Sequence, residues 1–139
     1  MKRIFCRAGF LFIFVNMMFI MPLIAQAENK THLTVFRSSI CYNIVEHEPL
    51  DIGTTFTNDV NKLYCFSEIM GAKTNTHIIH VWYYMGAERA RKQLRVHGTG
   101  WRTYSSKLIQ SHETGDWEVK IIDAEEKLLK VLKFNITPK

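Results

Sequence analysis

The chain of 139 residues contains no internal repeat, no low-complexity tract and no linker rich in proline or serine. It also lacks the G-x-S-x-G motif of serine hydrolases, the H-E-x-x-H motif of zinc proteases and a glycine-rich phosphate-binding loop. Its three cysteines include no C-x-x-C pair, so the ligand spacing of a structural metal site is missing as well. These absences predict one continuous domain without a metal and without a cofactor.

The first 27 residues have the composition of an export signal. A basic stretch at Lys2 to Arg7 precedes an almost wholly apolar segment, Ala8 to Ile24, and Ala25-Gln26-Ala27 has the small-x-small pattern of a cleavage site. We therefore predict a signal peptide over residues 1–27 with an N-terminal signal helix. Cleavage near Ala27 would leave a periplasmic or secreted domain over residues 28–139.

An uncleaved anchor in the inner membrane is the alternative. The apolar segment has 17 residues, which is the lower limit for a membrane-spanning helix. Pro22 and the cleavage pattern favour removal of the segment. The chain is expected to contact the membrane only through this segment, and only if the segment is not cleaved.

The net charge of the predicted mature domain is small. The signal carries 3 of the 18 Lys and Arg residues and none of the 13 Asp and Glu residues, so the charge falls from +5 to +2 on cleavage, which is 15 minus 13. A charge of +2 does not require a polyanionic partner, and an exported protein rarely meets nucleic acid. We predict no nucleic-acid partner.

Two cysteines, Cys41 and Cys65, remain after cleavage. An even pair in an oxidising compartment predicts a disulfide between them. The alternative is two separate thiols on neighbouring strands, because sequence spacing cannot place the two Cα atoms within bonding distance.

Most apolar residues recur with a period of two, which indicates β-strands. Seven strands separated by turn signals predict an all-β fold: a single antiparallel β-sandwich of immunoglobulin-like architecture. In the first strand Phe36, Ile40, Tyr42 and Ile44 form the apolar side. The segments Glu46–Pro49 and Asp51–Asp59 are predicted to be loops. The predicted strands are Leu33–Val45, Lys62–Met70, His77–Met85, Arg89–Val96, Trp101–Ile109, Trp117–Ile122 and Leu128–Ile136.

Aromatic and basic residues are concentrated in the second half of the chain. Guanidinium groups beside indole and phenol rings can hold a glycan or a protein through stacking, cation–π contacts and bidentate hydrogen bonds. The alternative is that the tryptophans are core residues and the arginines form a solvated face that protects an edge strand. The candidate contact residues are Trp101, Arg102, Tyr104 and Lys107, an outward row of Arg89, Arg91 and Arg95, and His80.

A hydrolase is the second hypothesis for function. His80 with Ser105, or with a carboxylate, has the residue types of a nucleophile and its base. His77 and His80 point to opposite faces of a strand and do not form a metal site together. No spaced motif joins the catalytic residue types, so we assign no catalytic residue.

Three segments carry a resemblance to a known family: His80 to Gly86, Trp101 to Lys107, and Gly115 to Val119. Together with Glu48-Pro49 and Phe66 to Gly71, they resemble the bacterial domain-of-unknown-function family 2914, over about residues 36–136. The signature positions that the resemblance implies are His80, Trp82, Gly86, Trp101, Arg102, Ser105, Lys107, Gly115 and Trp117, none with an assigned role.

The resemblance implies a bacterial envelope protein with a compact β domain and brings no known activity. Cys41 and Cys65 are outside its pattern. We expect an exported domain with a non-catalytic binding or structural role in the cell envelope, where its partner is a protein or a glycan.

Overall fold

The computed structural model describes residues 32–139, and all the regular structure in that range is β-strand. The predicted signal peptide and its cleavage site lie outside the described residues. No helix within residues 32–139 is long and apolar enough to cross a membrane. The strands are β1 (Thr34–Val45), β2 (Glu48–Gly53), β3 (Thr55–Thr57), β4 (Lys62–Met70), β5 (Thr76–Tyr84), β6 (Ala87–Val96), β7 (Trp101–Leu108), β8 (Gly115–Asp123) and β9 (Leu128–Thr137).

The strands form two sheets. The four-stranded sheet has the order β2-β1-β4-β7, and the five-stranded sheet has the order β3-β9-β8-β5-β6. Every pairing is antiparallel except that of β3 with β9, which is parallel. β6 lies near β7 on one flank of the molecule, and β1 lies near β9 on the other.

The core lies between the two sheets. Trp82, Trp117 and Phe134 of the five-stranded sheet pack in one cluster with Ile40 and Leu63 of the four-stranded sheet, and all five are buried. The rings of Trp117 and Phe134 stack with their centroids 6.0 Å apart. The alternation of apolar and polar residues along each strand therefore places one face of each sheet against the other.

The all-β prediction is confirmed for the described residues. Each of the seven predicted strands is present, with ends within two residues of the predicted ones. Gly86 and Gly115 have positive φ, as their turns require. The turn between β5 and β6 uses Met85 and Gly86, so β5 ends one residue before the predicted end at Met85.

Two predicted loops contain strands, and this is a correction. Glu46 and His47 both have positive φ and form a tight turn that reverses the chain into β2. Pro49 is tolerated in β2 because this strand is at the edge of its sheet, where a missing N–H donor costs no ladder bond. The second predicted loop contains the end of β2 and the whole of β3.

The structure does not contain the predicted disulfide: Cys41 and Cys65 are both free and buried. β1 and β4 are neighbours, but Cys41 lies opposite Tyr64 while Cys65 lies opposite Ile40. Adjacent positions of a strand point to opposite faces. Cys65 therefore points into the core and Cys41 points to the outer face, which corresponds to the alternative of two separate thiols.

The apolar side of β1 also differs from the prediction. Phe36 is 67% exposed and Tyr42 is 43% exposed, whereas Ile40 is buried. The pairing with β4 shifts register between Val35 and Arg37, so Phe36 is the extra residue of a β-bulge. The bulge changes the facing of the strand and directs the Phe36 ring to solvent.

Candidate functional site

A buried chain of hydrogen bonds centred on His80 joins the two sheets. His80 Nε2 lies 2.8 Å from Ser67 Oγ, and His80 Nδ1 lies 2.8 Å from Ser105 Oγ. Trp82 Nε1 donates to the same Ser105 oxygen at 3.0 Å. Ser67 and Ser105 belong to β4 and β7 of the four-stranded sheet, while His80 and Trp82 belong to β5 of the five-stranded sheet, so the network crosses the core.

The partners of the imidazole favour one tautomer. The indole of Trp82 can only donate, so Ser105 accepts from it and satisfies its own O–H by donating to His80 Nδ1. The proton of the neutral ring is then on Nε2 and is donated to Ser67 Oγ. Burial lowers the pKa of His80 to about 3, so the ring is neutral at physiological pH.

This network has no access to solvent. His80 is 0% exposed and Ser105 is 5% exposed, although their side chains are within the hydrogen-bonding distance that a nucleophile and base require. A base with a pKa of about 3 is also a poor acceptor for a serine proton at neutral pH. The hydrolase hypothesis therefore has no support, and His80 is a core residue rather than part of a contact surface.

The four predicted contact residues of β7 point in two directions. Ser105 points into the core, and Trp101 and Lys107 share its side of the strand. Arg102 and Tyr104 are on the other side, which is the outer face of the four-stranded sheet. The structure therefore separates these residues into an outer pair and a pair at the flank.

The predicted arginine row is also divided. Arg91 and Arg95 lie opposite outer-face residues of β5, but a register shift interrupts the β5–β6 pairing before Arg89. Arg89 turns toward the flank, where it forms an ion pair with the buried Glu113 and lies 5.4 Å from the centre of the Tyr84 ring. The prediction that Arg89 faces outward with Arg91 and Arg95 is thus corrected. The eight candidate contact residues therefore do not form one surface.

Four charged side chains fix the β1–β2 hairpin on the outer face of the four-stranded sheet. Glu48 accepts two hydrogen bonds from Arg37, at 2.9 and 3.0 Å, and is 2.7 Å from an Arg102 nitrogen. Glu68 accepts from Arg37 at 2.6 Å and lies 3.7 Å from Arg102. The paired guanidinium of Arg37 holds the pKa of Glu48 below its usual range.

These contacts require a folded-back hairpin. Glu48 pairs with Val45 at the end of β1, whereas Arg37 is near the start of the strand, ~26 Å away in an extended chain. The distal half of the hairpin must therefore bend over the outer face to bring Glu48 to Arg37. Asp51, with φ of 56°, has the left-handed backbone conformation within β2 that accompanies such a bend.

The hairpin and the start of β1 expose much of the apolar surface of the described residues. Of the ten large hydrophobic residues described as exposed, five lie on β1 and β2: Phe36, Tyr42, Val45, Leu50 and Ile52. An open cleft of about 430 Å³ begins beside them. Its walls are residues 35–39 of β1, Pro49 and Ile52 of β2, Phe66 of β4, and Lys130 and Leu132 of β9.

The sequence reasoning missed this cleft. The sequence marks the bulge only weakly, because Val35 and Phe36 are consecutive apolar residues but so are Ile40 to Tyr42 of the same strand. The approach of Lys130 to β1 depends on the packing of two sheets and leaves no mark in the local sequence.

No cluster of three or more His, Cys, Asp or Glu side chains within residues 32–139 is arranged to hold a metal ion. A comparison with curated proteins gives no significant match. Residues 75–136 match the family model described as a protein of unknown function, DUF2914. The match spans the strands from β5 to β9 and leaves β1 to β4 outside it. The predicted resemblance to the DUF2914 family is confirmed over residues 75–136.

Proposed function

We propose that this protein is an exported, non-catalytic binding domain of the bacterial cell envelope. Export is supported by the sequence pattern of residues 1–27. A binding role rather than catalysis is supported by the burial of the His80 network and by the exposed apolar surface around the β1–β2 hairpin. The observation that carries the proposal is this second one, because exposed apolar residues concentrated on one hairpin of a small domain are typical of an interaction site.

We infer further that the sandwich is immunoglobulin-like. The order β1-β4-β7 in one sheet and β9-β8-β5-β6 in the other corresponds to A-B-E and G-F-C-C′ of such domains. β3 takes the edge position next to the last strand. Immunoglobulin-like sandwiches serve many unrelated binding roles, so this topology agrees with the proposal without naming a partner.

Part of the predicted aromatic and basic surface adjoins the hairpin. Arg102 contacts Glu48 at the end of the hairpin, and Tyr104 is 43% exposed on the same outer face. We propose that these two residues extend the binding surface. Trp101, which stacks edge-on with His97, and Arg91 and Arg95 are farther from the hairpin and are not assigned to it.

Two measurements in cells test the proposal. The full chain with a C-terminal tag is fractionated and its N-terminal residue is determined, with recovery in the periplasm and a new N-terminus near residue 28 expected. A photo-crosslinking amino acid is then placed at Leu50, which is 48% exposed on the hairpin, and at the exposed Lys133 of β9 as a matched control.

We expect one discrete crosslinked product from position 50 and none from position 133. Retention of the uncut chain in the cytosol would contradict export. Identical products from both positions, or no product from position 50, would contradict a binding role for the hairpin.

A further inference from the structure

The first half of β1 has an open edge. β1 pairs with β4 over residues 34–41, but with β2 only from Ile40 onward. After Gly53 the chain leaves the four-stranded sheet and joins the other sheet as β3. Residues Thr34 to Ser39 therefore have no strand on the β2 side, and alternate backbone N–H and C=O groups of this segment point into that space.

A second open edge faces the first. β9 pairs with β8 over residues 128–136, but with β3 only at Asn135 to Thr137. The cleft of about 430 Å³ lies between the two open edges. Lys130 and Leu132 form its wall on the β9 side, and Pro49 and Ile52 of the folded-back hairpin form its wall on the outer side.

Three other strand edges in the described part of the chain carry protective features, and the edge strand β7 lies against β6. β6 carries Arg91, Lys92 and Arg95, β3 has only three residues, and β2 contains a proline. Charge, shortness and proline are the usual means by which natural sheets prevent pairing with other chains. On β1 the bulge at Phe36 interrupts the open edge and Arg37 lies on it, but the edge contains no proline and continues to Ile40, where the pairing with β2 starts.

The side chains of the cleft indicate the chemistry of its occupant. Phe36 is 67% exposed beside it, and Ser39 Oγ is buried without a hydrogen-bond partner among residues 32–139. Arg37 is neutralised by two glutamates, but Lys130 forms no ion pair within the described range, and no carboxylate lines the cleft. The occupant should therefore offer backbone hydrogen bonds, apolar side chains and a carboxylate.

We propose that the open edge of β1 binds an extended peptide segment of a protein partner by strand addition. The segment takes the place in the sheet that β2 leaves at Gly53, packs an apolar side chain on Phe36 and presents an acidic residue to Lys130. The proposal rests on the binding function proposed above and adds to it the site, the mode and the class of ligand.

A second copy of the chain fits this site less well than a peptide. The open edge lies in a recess between the hairpin and β9, as the cleft walls on both sides show. A single strand needs about 4.8 Å beside β1 in the plane of the sheet. A strand that belongs to another sandwich would bring its own neighbouring sheet against Ile52 and Lys130.

The test selects peptides from a displayed random library of ten-residue sequences against the purified full chain. Phe36→Glu is the informative variant, because Phe36 is largely exposed and its replacement leaves the core unchanged. Leu108→Glu is the matched control: it makes the same kind of change at a 53% exposed residue of β7, on the opposite edge of the same sheet. Thermal unfolding of both variants checks that each is folded.

We expect the selected peptides to alternate apolar and polar residues and to contain an acid. Phe36→Glu should weaken their binding by about tenfold, the loss expected when the burial of one large apolar side chain is removed, and Leu108→Glu should leave it unchanged. Amide hydrogen exchange of residues 34–39 should slow when peptide is added.

Selected peptides that bind Phe36→Glu as tightly as the original chain, or that protect another segment, would overturn the proposal, as would the failure to select any. Protection of residues 34–39 in a dimer without peptide would assign the edge to a second copy instead. None of these results depends on the crosslink at position 50, which tests the proposed binding function separately. A crosslink without peptide binding retains the binding function and rejects only strand addition.

Discussion

The buried imidazole of His80 makes a specific prediction about stability and pH. Burial lowers the pKa of His80 from 6.5 to about 3, so in the folded protein the ring takes up a proton only in strong acid. The unfolded chain takes up that proton near pH 6.5. The contribution of His80 to stability is therefore fully present above pH 6.5 and is lost progressively as the pH falls from 6.5 toward 3.

The size of the effect follows from the two pKa values. Between pH 7 and pH 5, proton uptake by the unfolded state alone reduces the free energy of unfolding by about 2 kcal/mol. Carboxylates titrate mostly below this range, so the window isolates histidine. Replacement of His80 by glutamine removes the titrating ring, and the variant should lose about 2 kcal/mol less than the original chain over the same interval.

The assay is urea unfolding of the original chain, His80→Gln and Ser67→Ala at pH 7, 6 and 5. Ser67→Ala is the control, because it removes the acceptor of the Nε2 proton but keeps the buried ring. It should lower the free energy of unfolding by about 1–3 kcal/mol at every pH, the cost of an unsatisfied buried donor, while the pH slope is unchanged. Nitrogen NMR should show a neutral His80 ring with its proton on Nε2 at pH 5.

Parallel pH curves for the original chain and His80→Gln would refute this reasoning. So would an imidazole that titrates near pH 6.5 in the folded protein, because a solvent-accessible ring would return the site to consideration as a catalytic base.

Three further predictions test other parts of the structure. Gly71→Ala should lower the free energy of unfolding by more than about 2 kcal/mol, because Gly71 has a φ of 87° and the new Cβ would collide with the carbonyl oxygen of His32. Gly86→Ala should lower it by about 1 kcal/mol, because a Cβ at Gly86 meets open space. Both variants are measured by thermal unfolding. Glu113→Gln should lower the free energy of unfolding, measured in urea, by about 2 kcal/mol. The Glu113 carboxylate is buried, accepts a hydrogen bond from the backbone N–H of Gln110 and forms an ion pair with Arg89. In a Cys6→Ser chain, Cys41 and Cys65 should react with a thiol reagent only after unfolding, because both are buried and burial raises the pKa of both thiols. Rapid reaction of the folded protein would contradict their burial. A mass lower by two hydrogens would show a disulfide and contradict their free state.

The strand predicted best is one with a clear composition and a clear end. β4 was predicted with its observed ends, because Lys62 to Met70 is rich in apolar and aromatic residues and is followed by a glycine with positive φ. β2 was missed for a local reason. The turn that creates it uses Glu46 and His47, which have none of the Asn-Gly signature of such turns, and Pro49 argued against a strand unless its edge position was known.

The candidate site was harder to predict because it depends on register. The facing of Phe36 and Arg89 is set by bulges, and the separation of Cys41 from Cys65 is set by a pairing that offsets them by one position. A shift of one residue moves a side chain to the opposite face, and sequence spacing alone does not fix that shift. The pair His80 and Ser105 was correctly placed together, but its burial, which decides its role, depends on the second sheet.

The buried network and the cleft share no residue, and this allows the two roles to be separated by experiment. The His80 network joins β4, β5 and β7, while the cleft lies between β1, β2 and β9 and includes β4 only at Phe66. No residue of the network lines the cleft in the described structure. His80→Gln should therefore change the pH dependence of stability without changing peptide binding, and Phe36→Glu should do the opposite. If either variant changed both properties, the core and the open edge would be energetically coupled, and strand addition would have to involve a rearrangement of the sandwich rather than the filling of a preformed position.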